Sequence, residues 1–180
     1  DAPMLIGLNV KNIVLIESLD LAFSGGLSVL TGETGAGKSI LLDALGLSIG
    51  ARADAGLVRP EETQASVIAT FEVPSDHVSR AILAESDIED EEELLVLRRT
   101  LGADGRSRAY VNDRPVSVAL LRRLGESMLE VHGQFDDRGL MNRQTHREAL
   151  DAFGGLGDAV KSTSAAYTTW RHAVAGLEKA

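Results

Sequence analysis

The chain has 180 residues, 44% of them hydrophobic, and a net charge of −9. That length suffices for one ordinary domain with a real core, and the lack of cysteine excludes disulfides and thiolate metal sites. No apolar run reaches membrane-spanning length and no secretory-signal pattern is seen, which fits a cytoplasmic protein; an acidic chain is also not the footprint of a strong, non-specific DNA binder.

Asp1-Ala2-Pro3 precedes Met4, which reads as a natural start, so residues 1–3 are expected to be an added remnant. Met4 to Val10 and Ile13 to Phe23 are rich in apolar and β-branched residues, with Lys11-Asn12 interrupting them. In the second stretch Leu19, Leu21 and Phe23 alternate with Asp20 and Ala22, the period of a strand. A hairpin-like pair of strands is therefore expected, closed by the turn signal Ser24-Gly25-Gly26. Leu27 to Thr31 then reads as a short buried strand, and Ser39 to Leu45 as a helix with an apolar face.

Between them stands Gly32-Glu33-Thr34-Gly35-Ala36-Gly37-Lys38-Ser39, which fits G-x-x-x-x-G-K-[ST], the phosphate-binding loop. Glycines let the backbone approach a ligand closely, and the loop N–H groups then form an anion nest. Lys38 can reach the β- and γ-phosphates, and the Ser39 hydroxyl can bind Mg²⁺. Strand, glycine loop and helix together aim a helix N-terminus at phosphate. The competing reading, a chance glycine-rich turn, does not account for the flanking strand and helix.

Gly46 to Gly56 reads as a small, glycine-rich surface connection with Arg52 and Arg59 near it. Ala65 to Val73 is a predicted strand ended by Pro74, and Ser79 to Ala84 a short predicted helix. Glu85 to Glu93 holds seven carboxylates in nine residues; this is a solvated acidic loop rather than a metal site, because it lacks a defined ligand pattern. Leu94 to Leu101, a turn at Gly102-Ala103-Asp104-Gly105, and Arg106 to Asn112 read as a hairpin. It carries Arg98, Arg99, Arg106 and Arg108, either a solvated face with cross-strand charge pairs or a basic patch for DNA or an opposite subunit.

Asn112-Asp113-Arg114-Pro115 is a predicted turn, and Ser117 caps a predicted helix from Val118 to Leu124 that Gly125 ends. Met128 to His132 reads as a strand leading into Gly133-Gln134-Phe135-Asp136, and Gln144 to Phe153 as helical. His132 and His146 have no partner at metal-ligand spacing. From Phe153 the apolar positions Leu156, Val160, Tyr167, Trp170, Val174 and Leu177 step by three and four, if Thr163 fills one gap. That is either the a/d seam of a coiled coil starting here or an amphipathic helix packed on the domain.

In this order the motifs resemble the N-terminal half of an ABC-type ATPase head of the structural-maintenance-of-chromosomes (SMC) superfamily. Within it they resemble the RecN family of bacterial DNA double-strand-break repair proteins. The residues that carry the resemblance are Leu8 to Asn12, Gly32 to Leu41, Gly50 to Asp54, Arg106 to Asn112 and Val131 to Gln134. It implies an α/β fold: a phosphate-loop NTPase lobe at 4–153 with an antiparallel β-subdomain, and the start of a coiled-coil helix at 154–180.

It also implies roles for single residues. Gly32, Glu33, Thr34, Gly35, Ala36, Gly37, Lys38, Ser39 and Ile40 would bind ATP, with Ser39 on Mg²⁺. Gln134 matches the Q-loop glutamine, which contacts the metal and helps position the attacking water; its plain alternative is a loop amide at a strand end. Lys38 and Gln134 would be the catalytic residues. Arg59 lies where related heads place an arginine facing the nucleotide, and Arg52 is an equally reachable candidate.

The implied partners are the protein's own C-terminal head lobe, a second copy across ATP-sandwiched heads, and DNA ends at the nucleoid, with no membrane. The chain departs from a complete head because no apolar strand ends in paired acids as a Walker B motif would, and no Leu-Ser-Gly-Gly signature occurs. In this superfamily both lie beyond the coiled coil. Three rival readings stand beside an ATP-driven head. In a GTPase, Asp136-Asp137-Arg138-Gly139 would be D-x-x-G, but no Asn-Lys-x-Asp follows. A small-molecule kinase would need a lid or acceptor site that is not evident. A nucleotide-gated structural clamp would need little turnover.

Overall fold

The computed structural model describes residues 2–31, 36–88, 93–129, 147, 150, 151 and 153–177. The chain divides into two compact units, Asp1–Val131 and His132–Ala180.

The first unit is built on a six-stranded, wholly antiparallel sheet in the order β2-β1-β3-β4-β5-β6. Its strands are β1 Met4–Ile13, β2 Ile16–Ala22, β3 Gln64–Glu72, β4 Leu94–Gly102, β5 Ser107–Val111 and β6 Arg114–Val116. The central strands alternate strictly. Ala65, Val67, Ala69 and Phe71 of β3 and Leu95, Leu97 and Leu101 of β4 are all buried, as a sheet with one covered face requires.

Three helices belong to this unit: α1 Ala36–Ser48, α2 Val78–Ala84 and α3 Val118–Met128. α1 contributes Ile40, Ala44 and Leu47 to the core, a helical i, i+4, i+7 stripe, and α3 contributes Leu121, Leu124 and Met128. Ser117 caps α3 as expected, its hydroxyl accepting from the Leu120 N–H at 3.1 Å.

Several expectations are corrected. Lys11-Asn12 does not interrupt the first strand. The chain reverses two residues later, at Val14-Leu15, with Ile13 opposite Ile16. Asn12 holds a positive φ of 56° there, and its amide donates to Glu62 Oε2 and to the Gln64 carbonyl. Leu27 to Thr31 is not a strand, and it is not buried: Leu27 is 93% exposed and Val29 71%. A strand exists only through neighbours that take up its ladder hydrogen bonds. Among the described residues the sheet edges are β2 and β6, and no strand pairs with 27–31.

The turn after β5 is only Asn112-Asp113, both with positive φ as a type I′ hairpin needs. Arg114 and Pro115 belong instead to the edge strand β6, where a missing N–H is tolerated. α3 does not stop at Gly125 but runs through it to Met128, which is therefore helical rather than the start of a strand.

The second unit contains α4, Gly157–Leu177. None of its described residues is buried. Val160, Tyr167, Trp170, Val174 and Leu177 are all among the exposed apolar side chains, and the Tyr167 and Trp170 rings lie 5.6 Å apart. Most of the helix expected over 144–153 lies outside the described residues.

Candidate functional site

α1 starts at Ala36, so Gly37, Lys38 and Ser39 occupy its first turn. The first turn of a helix holds N–H groups without intrahelical partners at the positive end of the dipole. No acidic side chain stands in that turn to occupy them. Gly37 and Ser39 are exposed and Lys38 is half-buried. Among the described residues, a Cβ at Gly37 would meet nothing within 4 Å. Ile40 is buried at 5% exposure, which leaves its side chain to the core and only its backbone to a ligand. The donor set of one ammonium, one hydroxyl and a helix N-terminus fits a polyphosphate with its divalent cation.

Gly32, Glu33, Thr34 and Gly35 lie outside the described residues, as do the side chain of Ala36, the whole of Gln134, and His132 and His146. Of the acidic run, 89–92 lie outside as well. Among the described residues no group of three or more His, Asp or Glu side chains gathers as a metal site.

The two arginine candidates are placed differently. Arg59 is half-buried and donates from Nη1 to the Leu15 carbonyl at 2.9 Å, while its N–H donates to the Asn12 carbonyl. It thus ties the 54–63 loop to the tip of the β1–β2 hairpin. Arg52 is exposed.

The four hairpin arginines do not form one patch. Arg98 and Arg108 lie on the open face of the sheet with Tyr110, where Arg98 pairs with Asp113 at 3.0 Å. Arg106 in the turn pairs with Asp104 at 3.6 Å. Arg99 faces the other way, is 3% exposed, and donates from Nη2 to Ser107 Oγ at 2.8 Å. Burial first, and the Arg122 charge second, push its pKa down. The open face forms a shallow concavity lined by Arg98, Thr100, Arg106, Arg108 and Tyr110, but also by Glu62 and Asp104. Turn and loop carboxylates, Asp104, Asp113 and Glu62, accompany the cations, which is the solvated-face arrangement.

Sequence reasoning missed the far end of α1. The connection after it is at the surface as expected, with Ala51, Arg52 and Asp54 to Gly56 exposed, but it begins in a defined cap and its first residues, Gly46 to Ser48, are still helical. Gly50 holds φ +90°, with Ala51 N–H bonded to the Gly46 carbonyl at 2.8 Å and Gly50 N–H to the Leu47 carbonyl at 3.2 Å. That is a Schellman cap. The Gly50 carbonyl accepts from Arg122 Nε of α3 at 3.1 Å. The glycine after a predicted helix was the only signal available for this joint.

Comparison with known proteins agrees with this fold. The family profile described as "AAA domain" matches residues 8–111. DNA repair protein RecN of Vibrio cholerae is 41% identical over 94% of this chain and 30% of its own length. DNA repair protein RecN of Bacillus subtilis is 41% identical over 84% of this chain and 26% of its own. The chain therefore spans under a third of the length of these relatives. A solved structure from work on ATP-driven dimerization and DNA-stimulated activation of SMC ATPases superposes with a TM-score of 0.57, covering 82% of this chain and 97% of that one at 19% identity. The fold is that of an SMC-type ATPase head lobe, and the chain belongs to the AAA-domain family as a homologue of RecN.

Proposed function

We propose that this chain is the ATP-binding half of an SMC-like ATPase head, and that the full-length protein hydrolyses ATP during repair of DNA double-strand breaks. The observation that carries the reading is the G-x-x-x-x-G-K-S motif running directly into the N-terminus of α1, with Lys38 and Ser39 on its first turn. Gly32 to Ile40 would cradle the phosphates with backbone N–H groups, Lys38 would neutralise charge, and the Ser39 hydroxyl would hold Mg²⁺. Mg²⁺ would supply charge neutralisation on the phosphate oxygens. Gln134 would contact the metal and orient water, and Arg59 would face the nucleotide from the neighbouring loop.

The related names support the setting: the relatives are called DNA repair proteins, and the superposed SMC ATPases are described as dimerising with ATP. On this reading the partners are a C-terminal head lobe, a second head across shared ATP, and DNA ends. The protein would act in the cytoplasm at the nucleoid. No described helix is long and apolar enough to cross a membrane. The exposed seam of α4 would begin a coiled coil, with the head lobe ending near residue 153. The test is titration calorimetry of ATP–Mg²⁺ onto a head containing both lobes. Lys38→Ala should sharply weaken binding, and unchanged affinity would refute the phosphate-loop assignment.

A further inference from the structure

The joint between α1 and α3 is tighter than hydrophobic packing demands. A Cβ at Gly50 would lie 2.6 Å from the Arg122 nitrogen and 2.7 Å from its Cα. A Cβ at Gly125 would lie 2.5 Å from Ile49 Cβ and 2.7 Å from the Ile49 carbonyl oxygen. Arg122 and Gly125 are three apart on α3 and so share a face; Ile49 and Gly50 are consecutive at the end of α1. The two backbones therefore meet flush. A glycine in a helix interior is destabilising relative to alanine, and here Gly125 allows the close approach.

Charge adds to shape. The C-terminal end of a helix carries partial negative charge on free carbonyls. α1 has no basic residue of its own in its last turn. Arg122 supplies the cation from outside by donating to the Gly50 carbonyl, and the buried Arg99 guanidinium stands close enough to Arg122 to be repelled by it.

The joint sits at the opposite end of α1 from the proposed chemistry. Ser39 lies ten residues before Ile49, about 15 Å along α1. We infer that Arg122 is a positioning residue of the nucleotide site: by holding the Gly50 carbonyl it fixes α1 against α3, and so fixes the phosphate-facing end of α1. This rests on the phosphate-loop reading above, and Gly50 and Gly125 are the residues that let the two helices approach this closely.

The test uses full-length protein, with ATP–Mg²⁺ affinity, steady-state hydrolysis and thermal melting measured on each variant. Arg122→Ala should lower kcat/KM about tenfold, the scale expected of a small misplacement of reacting groups. Arg122→Lys, which can still donate to the carbonyl, should recover most of that loss. Arg123→Ala, which removes the neighbouring cation and its pair with Glu85, should leave kcat/KM unchanged. If Arg122→Ala does not fold, Arg122→Gln is read in the same way. A lowered melting temperature with unchanged kcat/KM would overturn the inference, as would an equal loss from Arg123→Ala. Lys38→Ala run alongside separates the two claims: normal ATP binding by that variant would refute the nucleotide site itself, whereas lost binding there with an unaffected Arg122→Ala refutes only the joint.

Discussion

The Arg98 guanidinium lies over the Tyr110 ring, 4.2 Å from its centroid, directly across the β4–β5 ladder, while Arg99, one residue on, is buried on the opposite face. The alternation of a strand thus splits what reads in sequence as a single basic cluster. Of its four members, Arg98 is held by Tyr110 and Asp113, Arg106 by Asp104, and Arg99 by the core.

Neutralising Arg106 and Arg108 together should therefore leave the salt dependence of DNA binding by the full-length protein unchanged. Were either arginine to neutralise a phosphate, its removal would lower the slope of log K against log salt by about 0.9. A slope reduced by one to two units would instead place this face on DNA.

Arg99 should be a cost to stability. Among the described residues its Nε and Nη1 are buried without hydrogen-bond partners, and an arginine cannot escape by losing its proton. Replacing a buried, poorly compensated charge by an apolar side chain of similar length is often neutral or stabilising. Arg99→Met should raise stability by about 1 kcal/mol, seen as a melting temperature higher by about 2–4 °C. Ser107 is only half-buried, so water can replace the bond it loses. A clear drop in melting temperature would show that Arg99 has a partner outside the described residues.

Gln134→Ala in the full-length protein should lower turnover more than ATP affinity, because its proposed work is at the metal and the attacking water. The split between kcat and Kd for ATP is the measurement. Equal losses in both, or none in either, would remove the Q-loop role.

Much of the sheet was legible in the sequence because its strands obey a local rule. β3 and β4 alternate without a break, the turn at Gly102 to Gly105 is spelled in glycine, and Ser117 is a cap by chemistry alone. What was not legible depended on tertiary partners. Leu27 to Thr31 has the composition of a buried strand, but composition cannot supply the neighbouring strand that would bury it. Asn12 looks like an interruption, yet its side chain is anchored by Glu62 and Gln64 fifty residues away. Gly125 reads as a helix stop because glycine often is one; its reason lies in the backbone of Ile49. The phosphate-loop motif is read from its spacing alone, and of its eight residues Gly32 to Gly35 lie outside the described residues.

The central claim is that Gly32 to Ser39 forms an ATP site that this chain alone cannot turn into an ATPase. Phosphoryl transfer needs phosphates and Mg²⁺ held, water oriented, and γ-phosphate charge neutralised. On the proposed reading the loop would supply the first needs and Gln134 part of the rest, but the sequence holds no Walker B carboxylate pair and no signature loop. Lacking a positioned base removes about 10²–10⁴-fold of rate, and lacking a charge clamp a further ~10³–10⁵-fold. The direct measurement is steady-state ATP hydrolysis and light scattering on residues 1–180, alone and after addition of the separate C-terminal lobe. The account predicts no turnover and no ATP-induced dimer for the chain alone, with both appearing once the lobe is added; robust turnover by the chain alone would contradict it and favour a self-contained phosphate-loop enzyme.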